Sequence, residues 1–173
     1  LVINTIQTYY TQAKGFGWYY GNTRGGLRHI FYYFWCMKHV SILVPQKAIL
    51  GSLEGTRQLL TQVNLFFKDR GLDPLFKVQL VGLDSETKLA GGLYTINANV
   101  LLKDVKQTDL IIIPAVDGDI VEAMEINKAF VPWIEQQYKA GAEVASLCMG
   151  AFILASTGLL KGKKCATHWM AEN

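Results

Sequence analysis

Three short apolar runs constrain this chain more than any other feature. They are residues 39–45 (His-Val-Ser-Ile-Leu-Val-Pro), 109–114 (Asp-Leu-Ile-Ile-Ile-Pro) and 142–147 (Ala-Glu-Val-Ala-Ser-Leu). Each is too short for a globular helix, the first two are rich in β-branched residues, and each reads as a buried strand. Residues 76–83 alternate and read as a further strand, and residues 91–102 read as a hairpin or short strands after a Gly-Gly turn. Between these runs the apolar spacing turns helical. Ser52 can cap a helix through Thr56, Leu59, Leu60, Val63, Phe66 and Phe67, with Gly71 as its stop. A second helix is expected over 127–140, with Asn127 as a cap, Gly141 at its end and Pro132 marking an early turn or a kink. A third is expected over 151–157, closed by Gly158. Strands alternating with helices predict an α/β fold, a mostly parallel sheet covered on both faces. Ligands in such sheets gather at the carboxyl ends of the strands. That rule singles out three loops: 46–54, 115–119 and the turn at Cys148.

Composition removes several function classes. A chain of 173 residues is about one domain and can bury roughly 70% of its unfolded surface. Half its residues are hydrophobic and 18% are charged, which excludes a disordered chain. No apolar run approaches the ~18 residues of a spanning helix, so no membrane partner is expected. The net charge of +3 comes from residues 1–36, which hold Lys14, Arg24 and Arg28 and no acid; residues 37–173 are neutral. A neutral domain offers no electrostatic basis for binding nucleic acid.

The same first 36 residues hold 11 of the 20 aromatics, in clusters such as Trp18-Tyr19-Tyr20 and Phe31-Tyr32-Tyr33-Phe34-Trp35. No helical or alternating period runs through them, and glycines punctuate them. They read as an extension foreign to the fold, with Met37 opening the domain over 37–173. The other reading is an arm for a membrane surface or a partner. Three cysteines, Cys36, Cys148 and Cys165, are an odd number without a secretion signal, which fits a reducing, cytoplasmic setting. Their spacing matches no zinc site, and neither a metal nor a cofactor is expected.

At residues 142–150 a strand ends, a cysteine follows, and a helix begins at once. This is the pattern of a nucleophile elbow. Gly150 leaves room where the strand-to-helix turn is tight. The free N–H groups and positive dipole end of the new helix would favour a thiolate at Cys148. Spacing alone leaves a second reading open, in which Cys148 is a small buried hydrophobe. His168 follows 20 residues later in Cys-Ala-Thr-His-Trp and could orient or protonate a group near the sulfur, or be structural. His29 and His39 carry no expected role.

Residues 145–169, Ala-Ser-Leu-Cys-Met-Gly-Ala-Phe-Ile-Leu-Ala-Ser-Thr-Gly-Leu-Leu-Lys-Gly-Lys-Lys-Cys-Ala-Thr-His-Trp, closely resemble the elbow segment of the ThiJ/PfpI superfamily. Within it the likeness is best to the amidase-like N-terminal domain of GlxA-type AraC-family transcriptional regulators, and it extends over residues 38–173. The resemblance implies a flavodoxin-like three-layer sandwich related to class I glutamine amidotransferases. It implies that Cys148 is the elbow cysteine and His168 the histidine near it. It also implies a homodimer, and a sensor domain whose DNA contacts belong to a C-terminal helix-turn-helix module absent from this chain. Domains of the family continue past Thr-His-Trp, whereas Asn173 lies four residues beyond Trp169, so a domain cut short at its C-terminus is expected.

Departures from the family pattern bear on chemistry. Intracellular proteases of the superfamily carry His directly after the elbow cysteine, where this chain has Met149, so the adjacent base is missing. Stress-response members place a Glu in the first strand-to-helix loop. That place falls near Gly51 or Ser52, with Glu54 about one helical turn away. Isocyanide hydratases want an acid in that loop and Thr after the cysteine. Many members have Pro-Gly-Gly after the third strand, supplying an oxyanion-hole N–H; here the chain reads Pro114-Ala115-Val116-Asp117-Gly118. The expected site is therefore Cys148 and His168 with Met149, Gly150, Ala115, Val116, Gly51 and Glu54 around them. The expected function is a sensor for a small-molecule ligand in a transcriptional regulator. The alternatives are a cysteine-dependent hydrolase or hydratase, of amidase or isocyanide hydratase type, and a redox-responsive thiol protein.

Overall fold

The computed structural model describes residues 37–169; the aromatic-rich stretch over 1–36 lies outside the described residues. In chain order the elements are β1 (Lys38–Leu43), α1 (Leu50–Lys68), β2 (Phe76–Gly82), β3 (Glu86–Leu89), β4 (Tyr94–Asn97), β5 (Val100–Leu101), β6 (Leu110–Ile113), α2 (Ile120–Ile126), α3 (Phe130–Lys139), β7 (Glu143–Ser146) and α4 (Gly150–Ser156). Five strands form one sheet in the order β5-β2-β1-β6-β7. Every neighbouring pair in it is parallel. β3 and β4 form a separate antiparallel hairpin.

Both faces of the central strands are buried, as their unbroken apolar runs require. Leu43, Ile111 and Ile113 point to one face, where they pack with Ala123 of α2, Phe130, Trp133 and Ile134 of α3, and Ile153 and Leu154 of α4. Val40, Ile42 and Ile112 point to the other face, against Leu53 of α1 and Leu89 of β3. Alternation along each strand thus feeds two apolar layers. Most polar groups inside are satisfied, the buried Trp133 indole N–H being an exception. The buried Ser41 hydroxyl donates to Thr108 Oγ1 at 2.9 Å and accepts from Gln79 Nε2 at 3.1 Å.

The structure corrects four sequence expectations. Helix α1 begins at Leu50, with Ile49 in the capping position, so Ser52 is inside its first turn rather than at its cap. The Ser52 hydroxyl is drawn to another partner, the Ala115 backbone N–H at 3.0 Å, and itself donates to the Ile49 carbonyl at 2.9 Å. The Gly-Gly pair lies at the hairpin tip between β3 and β4 rather than ahead of it. Its first arm, Glu-Thr-Lys-Leu, was signalled by alternation, for Thr87 and Leu89 are buried while Glu86 and Lys88 are exposed. The span 127–140 holds no single helix capped by Asn127. Asn127 closes α2, and α3 starts at Phe130. The Asn127 side chain instead ties the loop after β1, accepting from Gln46 N–H at 2.8 Å and donating to the Gln46 carbonyl at 3.0 Å. The missed helix α2 has its own start signal, Asp119 with Glu122 three residues on, and the Asp119 carboxylate accepts the Glu122 N–H at 2.8 Å. Pro132 falls in the first turn of α3, where a missing N–H costs nothing, so no kink results.

At the amino ends of the strands Asp109 holds β1 to β6. Its carboxylate accepts the His39 N–H at 2.8 Å and the Lys38 ammonium at 3.2 Å. Burial pushes its pKa up, but the His39 N–H and the Lys38 charge outweigh burial and hold it below the ordinary 3.8. A depressed carboxylate pKa stabilises the fold above the unfolded value and loses that contribution as pH falls through the folded value. Asp109→Asn should cost under about 1 kcal/mol at neutral pH, since the site is partly exposed and Asn still accepts a hydrogen bond. Urea titrations should show the variant and wild-type stabilities converging well below pH 3.8.

Two glycines should respond oppositely to alanine. A Cβ on Gly150 would lie 2.3 Å from the Pro114 carbonyl oxygen and 2.9 Å from that of Ile113, both backbone atoms that cannot step aside. Gly55, inside α1, has nothing within 4 Å of a Cβ. Gly150→Ala should destabilise by at least about 2 kcal/mol, whereas Gly55→Ala should stabilise by roughly 0.5–1 kcal/mol. Both are read from urea midpoints on the whole chain.

Candidate functional site at the Cys148 turn

The site is built where β1, β6 and β7 end. β7 continues past Ser146 into Leu147, whose N–H donates to the Ile113 carbonyl at 2.9 Å. The chain then reverses through Cys148 and enters α4. Gly150 closes the turn with its N–H on the Leu147 carbonyl at 2.8 Å, and its Cα sits against the end of β6. Cys148 takes the strain of this reversal, with φ at 49°, a left-handed backbone that costs a non-glycine residue roughly 1–3 kcal/mol. Its side chain is exposed. The reading of Cys148 as a buried hydrophobe is therefore set aside.

The loop after β6 forms the floor. Ala115 and Val116 are buried, at 4% and 1% exposure, so they act as wall rather than as a ligand-facing lip. Val116 bridges antiparallel to Ala48. The Ala115 carbonyl accepts the Ile49 N–H at 2.8 Å, and the Asp117 N–H reaches the Lys47 carbonyl at 2.9 Å. The Ala115 N–H, the natural oxyanion donor by position, is taken by Ser52. Ser52 reads as a cap in the sequence, whereas in the structure it lies in the first turn of α1 and holds this donor.

The remaining expected residues are placed unevenly. Met149 is half-buried and packs against the core beneath the turn. Gly51 is exposed at the start of α1, with open space around it. Glu54 is turned along its own helix, in a two-pronged contact with Arg57 at 2.6 and 2.7 Å. Hydrogen bonding to Arg57 outweighs slight desolvation and holds the Glu54 pKa below 4.5, so this carboxylate is a poor proton donor. His168 is half-buried, and its ring lies 5.4 Å from that of Trp169. The 164–169 segment reaches the turn through Thr167, whose hydroxyl donates to the Cys148 carbonyl at 3.2 Å. Thr167 lies 19 residues from Cys148, and no local pattern in the sequence signals this tether.

Chemically, the arrangement offers an exposed thiol on a rigid turn, a closed floor and a histidine-bearing segment alongside. Among the described residues no group of three or more His, Cys, Asp or Glu side chains could hold a metal ion. Among them also, no helix is long and apolar enough to cross a membrane.

Comparison with known proteins places this geometry. Over 130 residues the chain is 24% identical to the HTH-type transcriptional regulator CdhR of Pseudomonas aeruginosa, a match that takes in 75% of this chain and 36% of that protein. The chain thus spans about a third of that regulator. A deglycase of Thermococcus kodakarensis is 33% identical over 73 residues, 41% of this chain and 43% of its own. An AraC family transcriptional regulator from Pseudomonas putida shares the fold, with a TM-score of 0.60 at 18% identity over 78% of this chain and 69% of that one. The model of the DJ-1/PfpI family matches residues 67–173, from the last two residues of α1 past the cysteine turn. That match covers more than half of the sequence, and the chain belongs to the DJ-1/PfpI family, with its class I glutamine amidotransferase-like fold.

Proposed function

We propose that this domain binds a small molecule at the Cys148 turn as the sensing part of an AraC-type transcriptional regulator, and does not turn it over. The observation that carries this reading is the residue after the elbow cysteine. A base there would activate the thiol, and Met149 instead packs into the core. The two other groups that hydrolysis would call on are engaged elsewhere, Glu54 with Arg57 and the Ala115 N–H with Ser52. What is left suits recognition, a rigid floor with an exposed thiol and the His168 segment beside it. In this reading DNA contact belongs to a separate helix-turn-helix module, as the kinship with two regulators supports, and the domain pairs with a second copy.

A second reading, a cysteine-dependent enzyme, is favoured by the exposed Cys148 and by the deglycase relative. The two separate in one experiment. A melting-temperature screen of small carboxylates, amides and aldehydes is run on the chain, with iodoacetamide labelling of Cys148 followed in parallel. Sensing predicts a compound that stabilises saturably and slows labelling. At a hundredfold excess over Kd it should add about 2.7 kcal/mol, roughly 5–10 °C for a domain of this size. The same compounds should be recovered unchanged. Conversion of an amide or a glycated amine that disappears in Cys148→Ala would replace the sensing account with the enzymatic one.

A further inference from the structure

Two cysteines are exposed among the described residues, Cys148 on the strained turn and Cys165 in the segment that returns to it. They are brought into one neighbourhood by the Thr167 tether, 3.2 Å from hydroxyl to Cys148 carbonyl. Cys165 is two residues before Thr167, and two residues of chain span at most about 7 Å. The segment that carries Cys165 is exposed at every position over 161–167, in irregular backbone after the last turn at Lys163. Exposed irregular backbone opens locally at little cost. Cys148, by contrast, is fixed by β6 and α4. One thiol is therefore held rigid in solvent, and the other rides on a short strap already pinned beside it.

We propose that Cys165 is the resolving thiol for Cys148, so that oxidant closes a disulfide that latches the strap onto the turn. A peroxide first oxidises the Cys148 thiol to a sulfenic acid, the peroxide leaving as its alcohol or as water. The Cys165 sulfur then attacks the Cys148 sulfur, the S–O bond breaks, and the oxygen departs as water with the Cys165 proton. A disulfide needs its Cα atoms within about 4.4–6.8 Å, so the strap slides toward the turn by several ångströms while β7 and α4 stay in place. Because Thr167 already holds the ends together, closing this loop adds little entropic cost. The inference does not depend on whether the site senses a ligand or transforms one.

The whole chain is treated with limiting hydrogen peroxide, blocked with iodoacetamide without reductant and digested with trypsin. Cleavage after Lys139, Lys161 and Lys164 puts Cys148 in peptide 140–161 and Cys165 in peptide 165–173. The expected product is these two peptides joined, two hydrogens lighter than their sum, within a monomer and independent of protein concentration. In Cys165→Ser the sulfenic acid at Cys148 should persist and be captured by dimedone. In Thr167→Val, at an exposed position, the cross-link should form about fivefold more slowly through loss of the tether. Far-UV circular dichroism checks that both variants are folded. An unmodified Cys148, a Cys148 sulfinic acid formed equally in wild type and Cys165→Ser, a link to Cys36 or between chains, or an unchanged rate in Thr167→Val would each overturn the proposal.

Discussion

The contact on which the rest depends is the approach of Gly150 to the end of β6. With carbonyl oxygens 2.3 and 2.9 Å from where a Cβ would stand, the first residue of α4 lies directly on the backbone of Ile113 and Pro114. That contact forces the chain to reverse within three residues of β7. The reversal in turn places Cys148 at a positive φ, as an exposed residue at the carboxyl edge of the sheet. The strain is held by burial on both sides, Ile113 beneath and Ile153 and Leu154 behind. A site built this way is part of the core, and it cannot loosen without β6 and β7 separating.

A second consequence follows from the same loop. Because Pro114 is pressed against Gly150, residues 115–117 run on toward β1. There they bond to Lys47, Ile49 and Ser52 and bridge to Ala48. Three loops distant in sequence become one floor. The floor spends its backbone donors internally, which supports the proposal that the site recognises a ligand rather than hydrolysing one. Asn127, gripping both backbone groups of Gln46, adds the end of α2 to the same assembly.

Much of this was legible in the residues. The runs at 39–45 and 109–114 form the central strands and are largely buried on both faces, whereas 142–147 forms the edge strand β7, half-buried with Glu143 exposed; short runs of this kind between helices predict a parallel sheet. The Cys-Met-Gly turn was legible because a strand, a cysteine and a helix follow without a linker. What failed was local and had local causes. Ser52 has good capping chemistry, but a backbone N–H from 63 residues away competed for it. Asn127 looked like a cap because its long-range partner Gln46 is invisible in sequence. Helix α2 was missed although Asp119 and Glu122 announce it, because its seven residues are too few to show a period. Glu54 stood near the cysteine by count alone, and Arg57 three residues on drew it away.

The claim that joins fold to site is that the cysteine turn opens only when the sheet does. Native-state hydrogen exchange tests it directly at two amides, Leu147 bonded to the Ile113 carbonyl and Gly150 bonded to the Leu147 carbonyl. The account predicts that both exchange with the free energy and denaturant dependence of the β6 amides, that is, through global unfolding. Exchange at Leu147 or Gly150 through a low-energy opening insensitive to denaturant, while β6 stays protected, would contradict it.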